Sequence, residues 1–464
     1  MNTHATFLQG IAILIQCVIV AMSTISDSWD AALNLSKLYL LAHIIGFIAV
    51  ILDNRRGGIS YLIEFFLLFF IALPAVIQVS QNVFPWFAML QPVHICGAFG
   101  ILALSHLTFH VGLIVTGARK KSDIQSTTQQ LLSPQSALFY TRWAWAVIIL
   151  AIFLAGLAGP SNLFVARFEF SKTEMGGLTE QFLYMSRSLS LLGMVMLLFL
   201  IKYTPIVRIK RANIYVLLAF LPLFLVINYL PALPRFFLFG IFIAISTIVI
   251  NYFNPKIKSL VAIASVFILF IVFPAIKSLG EGELDTSAFQ QRVSSGTFAD
   301  YMLRVDFDAF MQVTETVHYY SDDRGPLLYG KNFLGVALFF IPRAIWPDKP
   351  LSTGIFVAER LGYEYLNVSS PLPAEALMAF GLIGPILVFW LLAAYVINIE
   401  YNAKPYKNSI PVPHAFVLNA ISMAFIVIVL RGALNAVAAQ FATAFLIFFI
   451  ILFFKNRRVK FRIK

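Results

Sequence analysis

Residues 333–350 read FLGVALFFIPRAIWPDKP, and their reading decides how the rest of the chain is divided. The apolar run over 333–345 is about 13 residues long, short of the ~20 that a membrane span needs. It then meets Pro342, Pro347 and Pro350, with Arg343, Trp346 and Lys349 between them. An apolar run of that length beside a proline-stiffened cationic loop predicts an interfacial or re-entrant helix. The run lies inside a long polar segment, 278–372. That segment opens acidic (Glu281, Glu283, Asp285), shows helix-compatible apolar spacing over 297–320, and breaks at Gly325-Pro326.

Outside that segment the chain is almost continuously apolar. Of its 464 residues 60% are hydrophobic and 12% charged, and 46 are Phe; mean hydropathy is +0.84. A soluble domain carries about a quarter charged residues. The fold class is therefore all-α, a polytopic transmembrane bundle. Twelve spans are predicted, at 6–24, 36–52, 61–80, 95–117, 139–158, 181–202, 214–231, 235–253, 259–277, 373–397, 411–430 and 435–454. The first run lacks a basic start and is long enough to cross, so it reads as the first span and not as a cleavable signal. Three parts follow: spans 1–9 in 1–277, the large loop 278–372, and spans 10–12 with a basic tail in 373–464.

The net charge of +12 does not point to nucleic acid, because the cations flank apolar segments as orientation signals do. One set of loops carries Arg55, Arg56, Arg119, Lys120, Lys121, Lys202, Arg208, Lys210, Arg211, Lys256, Lys258, Lys404, Lys407 and the tail from Lys455 to Lys464. The short loops on the other side hold far fewer. Both termini are predicted to be cytoplasmic and 278–372 extracytoplasmic. Cys17 and Cys96 lie inside apolar runs with neither metal nor disulfide spacing, and read as small buried hydrophobes.

Cations at membrane depth are costly and need a partner or a task. Arg187, Arg235 and Arg431 lie toward the predicted outer ends of spans, and Arg167, Arg304, Arg324, Arg343 and Lys349 lie in outer loops. As a set they predict an anionic ligand at the outer membrane surface, since the guanidinium fork binds phosphate or carboxylate bidentately. Trp346 offers an apolar face for a sugar ring. Glu375, at an apolar boundary beside Pro371 and Pro373, is one candidate general base, and Asp306 is another, with His318 behind them. Asp306-Phe307-Asp308 has metal-binding spacing as well, but no metal is assigned to it. His106 and His110 stand one helical turn apart, yet their own helix supplies no third ligand nearby, so helix-to-helix hydrogen bonding is expected for them and for His43, His94 and Glu64. No phosphate-loop, dinucleotide, serine-elbow or zinc pattern occurs.

FIPRAIWPDKP at 340–350 resembles the O-antigen polymerases, the Wzy-type polymerases of lipid-linked oligosaccharide repeat units. Similar agreement lies in ARFEFSKTEMGG (166–177), LPR (233–235), PAEALMAFGLIG (373–384) and VLRGALNAVAAQF (429–441). Family members are discussed in terms of an Arg and a Gly in their outer loops; here Arg343 with Gly354, and Arg324 with Gly335, have that spacing. Ala379 stands where relatives often carry Asn. The resemblance implies a plan similar to the C-type membrane glycosyltransferases and a location in a bacterial inner membrane. It implies that a glycan on polyprenyl diphosphate is the donor and another lipid-linked repeat unit the acceptor. The leaving diphosphate would be compensated by Arg and Lys, with neither metal nor cofactor. Arg343 and Lys349 would hold the diphosphate, and Arg167, Arg235, Arg304 and Arg431 would complete the cradle. Other expected partners are membrane lipid and a chain-length regulator. A ligase that transfers finished glycan, or a transporter of lipid-linked sugar, is the alternative.

Overall fold

The computed structural model describes residues 3–120, 132–165, 177–269, 298–322, 325–343, 345–366, 368–404 and 410–462. Among them the chain is helical, and ten helices are long and apolar enough to cross a membrane. These are α1 (Thr3–Ser23), α2 (Trp29–Leu52), α3 (Gly58–Gln81), α4 (Pro92–Lys120), α5 (Pro134–Ala158), α6 (Gly177–Tyr203) and α7 (Val207–Ile227), then, further along the chain, Ile383–Ala403, Pro413–Arg431 and the helix that opens at Leu434.

Local chemistry sets the helix ends. Ser28 caps α2 by accepting from Ala31 N at 3.2 Å, and Ser133 caps α5 from Ser136 N at 3.3 Å, with Pro134 in the first turn. At the other end of α2, the buried Lys258 ammonium donates to Asp53 O at 2.7 Å and Arg56 O at 3.1 Å. A cation there answers orphan carbonyls and the negative helix end together. The first turn of α3 is capped from a distance by Glu400, which accepts from Ser60 N and Ser60 Oγ, each at 2.8 Å. Inside α3, Leu67–Ala72 widens to a π-helical turn.

Twelve spans were expected, and two of the expected segments are different elements. The segment 235–253 forms a helix of only 12 residues, α8 (Arg235–Ser246). Its continuation is Thr-Ile-Val-Ile-Asn, a β-branched run with low helix propensity. Ser246 Oγ and Thr247 Oγ1 bond back to Ile243 O and Ala244 O, both at 2.7 Å. A new helix, α9 (Pro255–Phe267), then starts on an Asn254 cap. The expected span 259–277 is described only to 269. The expected span 373–397 is broken by Gly381 at φ +61°, which ends α14 (Leu372–Phe380) and lets α15 (Ile383–Ala403) start separately.

Four short helices precede that break: α10 (Phe298–Met302), α11 (Ala309–Ser321), α12 (Lys331–Ala337) and α13 (Thr353–Leu361). The predicted helix over 297–320 is therefore two helices joined by a 3-10 turn at Val305–Phe307. The run 333–345 supplies α12 and a series of turns, too short to cross, as its length predicts. The last two long helices are α16 (Pro413–Arg431) and α17 (Leu434–Arg462). α3, α6 and α16 form the most buried part of the bundle, while α1 and α7 lie at its edge. α11 packs on α4, α13 and α14, which fastens the loop segment onto the bundle.

Candidate functional site

Two cation-bearing sites lie where the loop segment meets the helix ends. At the first, Arg235 opens α8 and donates from Nη2 to Asp306 Oδ1 at 2.7 Å. Arg431 closes α16 and donates from Nη2 to Asp308 Oδ1 at 3.1 Å. Asp308 also accepts from Ser369 Oγ at 2.8 Å, Ser369 N at 3.3 Å and Trp86 Nε1 at 3.4 Å. The two acids of Asp306-Phe307-Asp308 are thus each bound to an arginine. Asp308 is buried, and Asp306 keeps 10% of its side chain exposed. Arg304 stands over the ring of Tyr301, 5.5 Å from its centroid, and burial together with the nearby Asp306 pushes the Tyr301 hydroxyl up.

Arg431 also lies 5.2 Å over the ring of Phe236. Phe236 is one wall of an apolar pocket of about 280 Å³ between α3, α8, α9 and α16, lined by Phe65, Phe70, Ile243 and Val427 among others. A charged end and an apolar body therefore share one ring.

The second site is a groove of about 560 Å³ between the start of α6, the 335–352 segment and the start of α17. Arg343 and Lys349 lie on one wall; Phe339, Leu178, Ala436 and Ala439 make much of the rest, with Glu180 on the α6 side. Both cations are fixed by their own loop. Arg343 donates to Lys349 O at 2.5 Å and Pro350 O at 3.2 Å; Lys349 Nζ donates to Phe339 O at 2.7 Å and Ile341 O at 3.0 Å. Among the described residues no carboxylate pairs with either one. Partial burial, and Arg343 close by, push the Lys349 ammonium down. An anion in the groove would relieve that repulsion.

Glu375 stands between the two sites. It is fully buried on α14. Its Oε2 accepts from Asn332 Nδ2 at 2.7 Å and from Thr353 Oγ1, and its Oε1 accepts from Leu434 N at 3.0 Å. Burial pushes its carboxyl up, against the pull of those donors. These bonds tie α12, α13 and α17 to α14. Gly432 makes the geometry possible: its φ is +68°, and a Cβ there would stand 1.7 Å from Ser370 O.

The residues expected in one cationic cradle fall into two groups. Arg235 and Arg431 meet Asp306 and Asp308, whereas Arg343 and Lys349 line a separate groove, and the Arg431–Asn435 link joins the two. Trp346 is half-buried on the same turns and does not line that groove. Arg167 and Arg324 lie outside the described residues. Arg187 is buried and donates to Ile227 O at 3.3 Å and Ala232 O at 3.4 Å, so it serves the end of α7. Sequence reasoning passed over the aromatic series Trp86, Tyr365 and Tyr363, stacked at 4.6 and 5.1 Å, because its members come from two distant loops. Tyr363 OH bonds Glu315. No family model, curated protein or solved structure matches the chain.

Proposed function

We propose that this protein is a glycosyltransferase that polymerises polyprenyl-diphosphate-linked oligosaccharide repeat units at the outer face of a bacterial inner membrane, with both termini cytoplasmic. The observation that carries this reading is the groove of Arg343 and Lys349: two prefixed cations without an acid partner among the described residues, set against apolar walls of α6 and α17. That combination suits a ligand with an anionic head and a hydrocarbon tail. Cations already held by backbone carbonyls lose little further freedom on meeting a diphosphate.

In this reading the donor's diphosphate sits at Arg343 and Lys349 with its prenyl chain along α17. The acceptor glycan approaches Arg235–Asp306 and Arg431–Asp308, and its lipid chain enters the apolar pocket beside Phe236. An acceptor hydroxyl attacks the donor's anomeric carbon. The new glycosidic C–O bond forms as the bond to diphosphate breaks, and Asp306 takes the hydroxyl proton. Charge building on the leaving diphosphate is met by Arg343 and Lys349.

The test is reconstitution. Purified protein in liposomes, given lipid-linked repeat units extracted from cells, should yield a ladder of polymer lengths. A product made only when a lipid-core acceptor is added would mean a ligase. Movement of the lipid-linked unit across the bilayer with no new bond would replace the enzyme reading with transport.

A further inference from the structure

A buried cluster on α2, α3 and α4 has no part in this chemistry. His43 on α2, Glu64 on α3, and His106 and His110 on α4 are all at most 1% exposed. His106 Nε2 stands 2.8 Å from Glu64 Oε1 and 2.8 Å from His110 Nε2, and His110 Nε2 stands 3.1 Å from Glu64 Oε1. His43 Nδ1 lies 3.7 Å from Glu64 Oε2, and the His43 ring stacks on His106 with centroids 4.0 Å apart.

With Glu64 ionised, hydrogen bonds alone do not satisfy this arrangement. If both His106 and His110 carry a proton on Nε2, two N–H groups face each other. If only His106 does, its one proton serves two acceptors, while the lone pairs of His110 and Glu64 confront one another. Neither ring nitrogen of His43 has a hydrogen-bond partner, and neither does Glu64 Oε2. Each buried orphan costs roughly 1–3 kcal/mol.

The geometry points to a buried site for a divalent transition-metal ion, zinc being the best match, held by Glu64, His106 and His110. Two imidazoles and one carboxylate are zinc-type donors. A tetrahedral ion with bonds of about 2.0–2.1 Å sets its ligand atoms about 3.3 Å apart, and the contacts of 2.8, 2.8 and 3.1 Å among the three ligand atoms fall a little short of that spacing. An ion just off the plane of Glu64 Oε1, His106 Nε2 and His110 Nε2 turns three conflicting contacts into three bonds.

The surrounding groups fit the same assignment. Gln9 Nε2 lies 3.0 Å from His110 Nδ1, and Gln16 Nε2 contacts His106 Nδ1. With Nε2 on the metal, each Nδ1 carries a proton and needs an acceptor. A half-turn of the Gln16 amide presents Oε1, which otherwise has no partner, to that proton. Gly46 leaves the space open: a Cβ there would stand 3.1 Å from Glu64 Oε2 and 3.6 Å from His110 Nε2. The ligand helices α3 and α4, with α1 and α2 packed against them, would be joined through one ion.

The site is tested apart from any glycan reaction. Protein purified through a histidine-free tag from zinc-replete cells should carry about one zinc per chain by elemental mass spectrometry. Glu64→Gln, nearly the same shape, should remain monodisperse and lose most of the metal, as should His106→Ala. Protein from zinc-starved cells should melt at a lower temperature and recover when zinc is added back, whereas the Glu64→Gln variant should not respond. Wild-type protein with less than about a tenth of an equivalent after zinc add-back would overturn the site. So would undiminished zinc in folded Glu64→Gln.

Discussion

Arg431, the last residue of α16, meets Asp308, a loop residue 123 positions earlier, at 3.1 Å. The helix end and the loop are therefore one unit, not a span with a segment draped over it. Asp308 is 1% exposed and Arg431 24%. Removing one partner of a fully buried pair costs roughly 3–5 kcal/mol, and the exposure of Arg431 lowers that figure. Arg431→Ala should therefore destabilise the protein by about 2 kcal/mol, read as a lower midpoint in detergent thermal unfolding. Asp308→Asn on top of Arg431→Ala should restore part of the loss. If the double variant were as unstable as the sum of the singles, the pair would not be the unit described.

The glycine next to Arg431 is under a harder constraint. A side chain at Gly432 meets φ +68° with ψ −166°, a region essentially restricted to glycine and costing an L residue on the order of 1–3 kcal/mol, and also the Ser370 carbonyl at 1.7 Å. Gly432→Ala should reduce folded protein in the membrane to a small fraction of wild type. Gly156, where a Cβ meets nothing within 4 Å, is the control, and Gly156→Ala should be silent. Membrane fractions probed by quantitative immunoblot distinguish the two.

Glu375 gives a pH signature. Its carboxyl is raised above the usual 4.5, chiefly by burial. A raised carboxyl binds its proton more tightly in the fold than in the unfolded chain. That contribution is fully present below the unfolded value and is lost as pH rises through the folded one. Wild-type stability should therefore decline from pH 4.5 upward across that window. The decline is about 1.4 kcal/mol for every tenfold by which the fold tightens its hold on the proton. Glu375→Gln cannot ionise and should be flatter over the same range. Parallel curves for the two proteins would remove Glu375 as the source.

Much of the bundle could be read directly from apolar length, because a long apolar helix pairs its own backbone groups in hydrocarbon. What escaped was punctuation within apolar text. Gly381 divides an uninterrupted hydrophobic run, and the Thr247–Ile250 stretch is as apolar as a span while favouring no helix. Within the sites, residue types were legible and partners were not. Arg235, Arg431 and Asp306 stood out as charges needing a reason, but their pairing depends on how α8 and α16 end beside the 3-10 turn. His106 and His110 showed one helical turn; Glu64 and His43 complete their cluster from other helices, which spacing along α4 does not encode.

Arg343 is the residue on which the proposed chemistry bears most directly. It is exposed, belongs to no ion pair among the described residues, and touches only carbonyls of its own loop. Arg343→Ala should leave protein level and membrane insertion near wild type, since few buried contacts are lost. Its effect should fall on the product: surface glycan reduced to single repeat units on a gel of cell-surface polysaccharide. Arg343→Lys keeps the charge and loses the fork, so it should give chains of intermediate length. Lys349→Ala should act in the same direction, with a larger effect on stability because its ammonium holds Phe339 O and Ile341 O together. Normal chain length in Arg343→Ala would take this groove out of the reaction and move the diphosphate to Arg235 and Arg431.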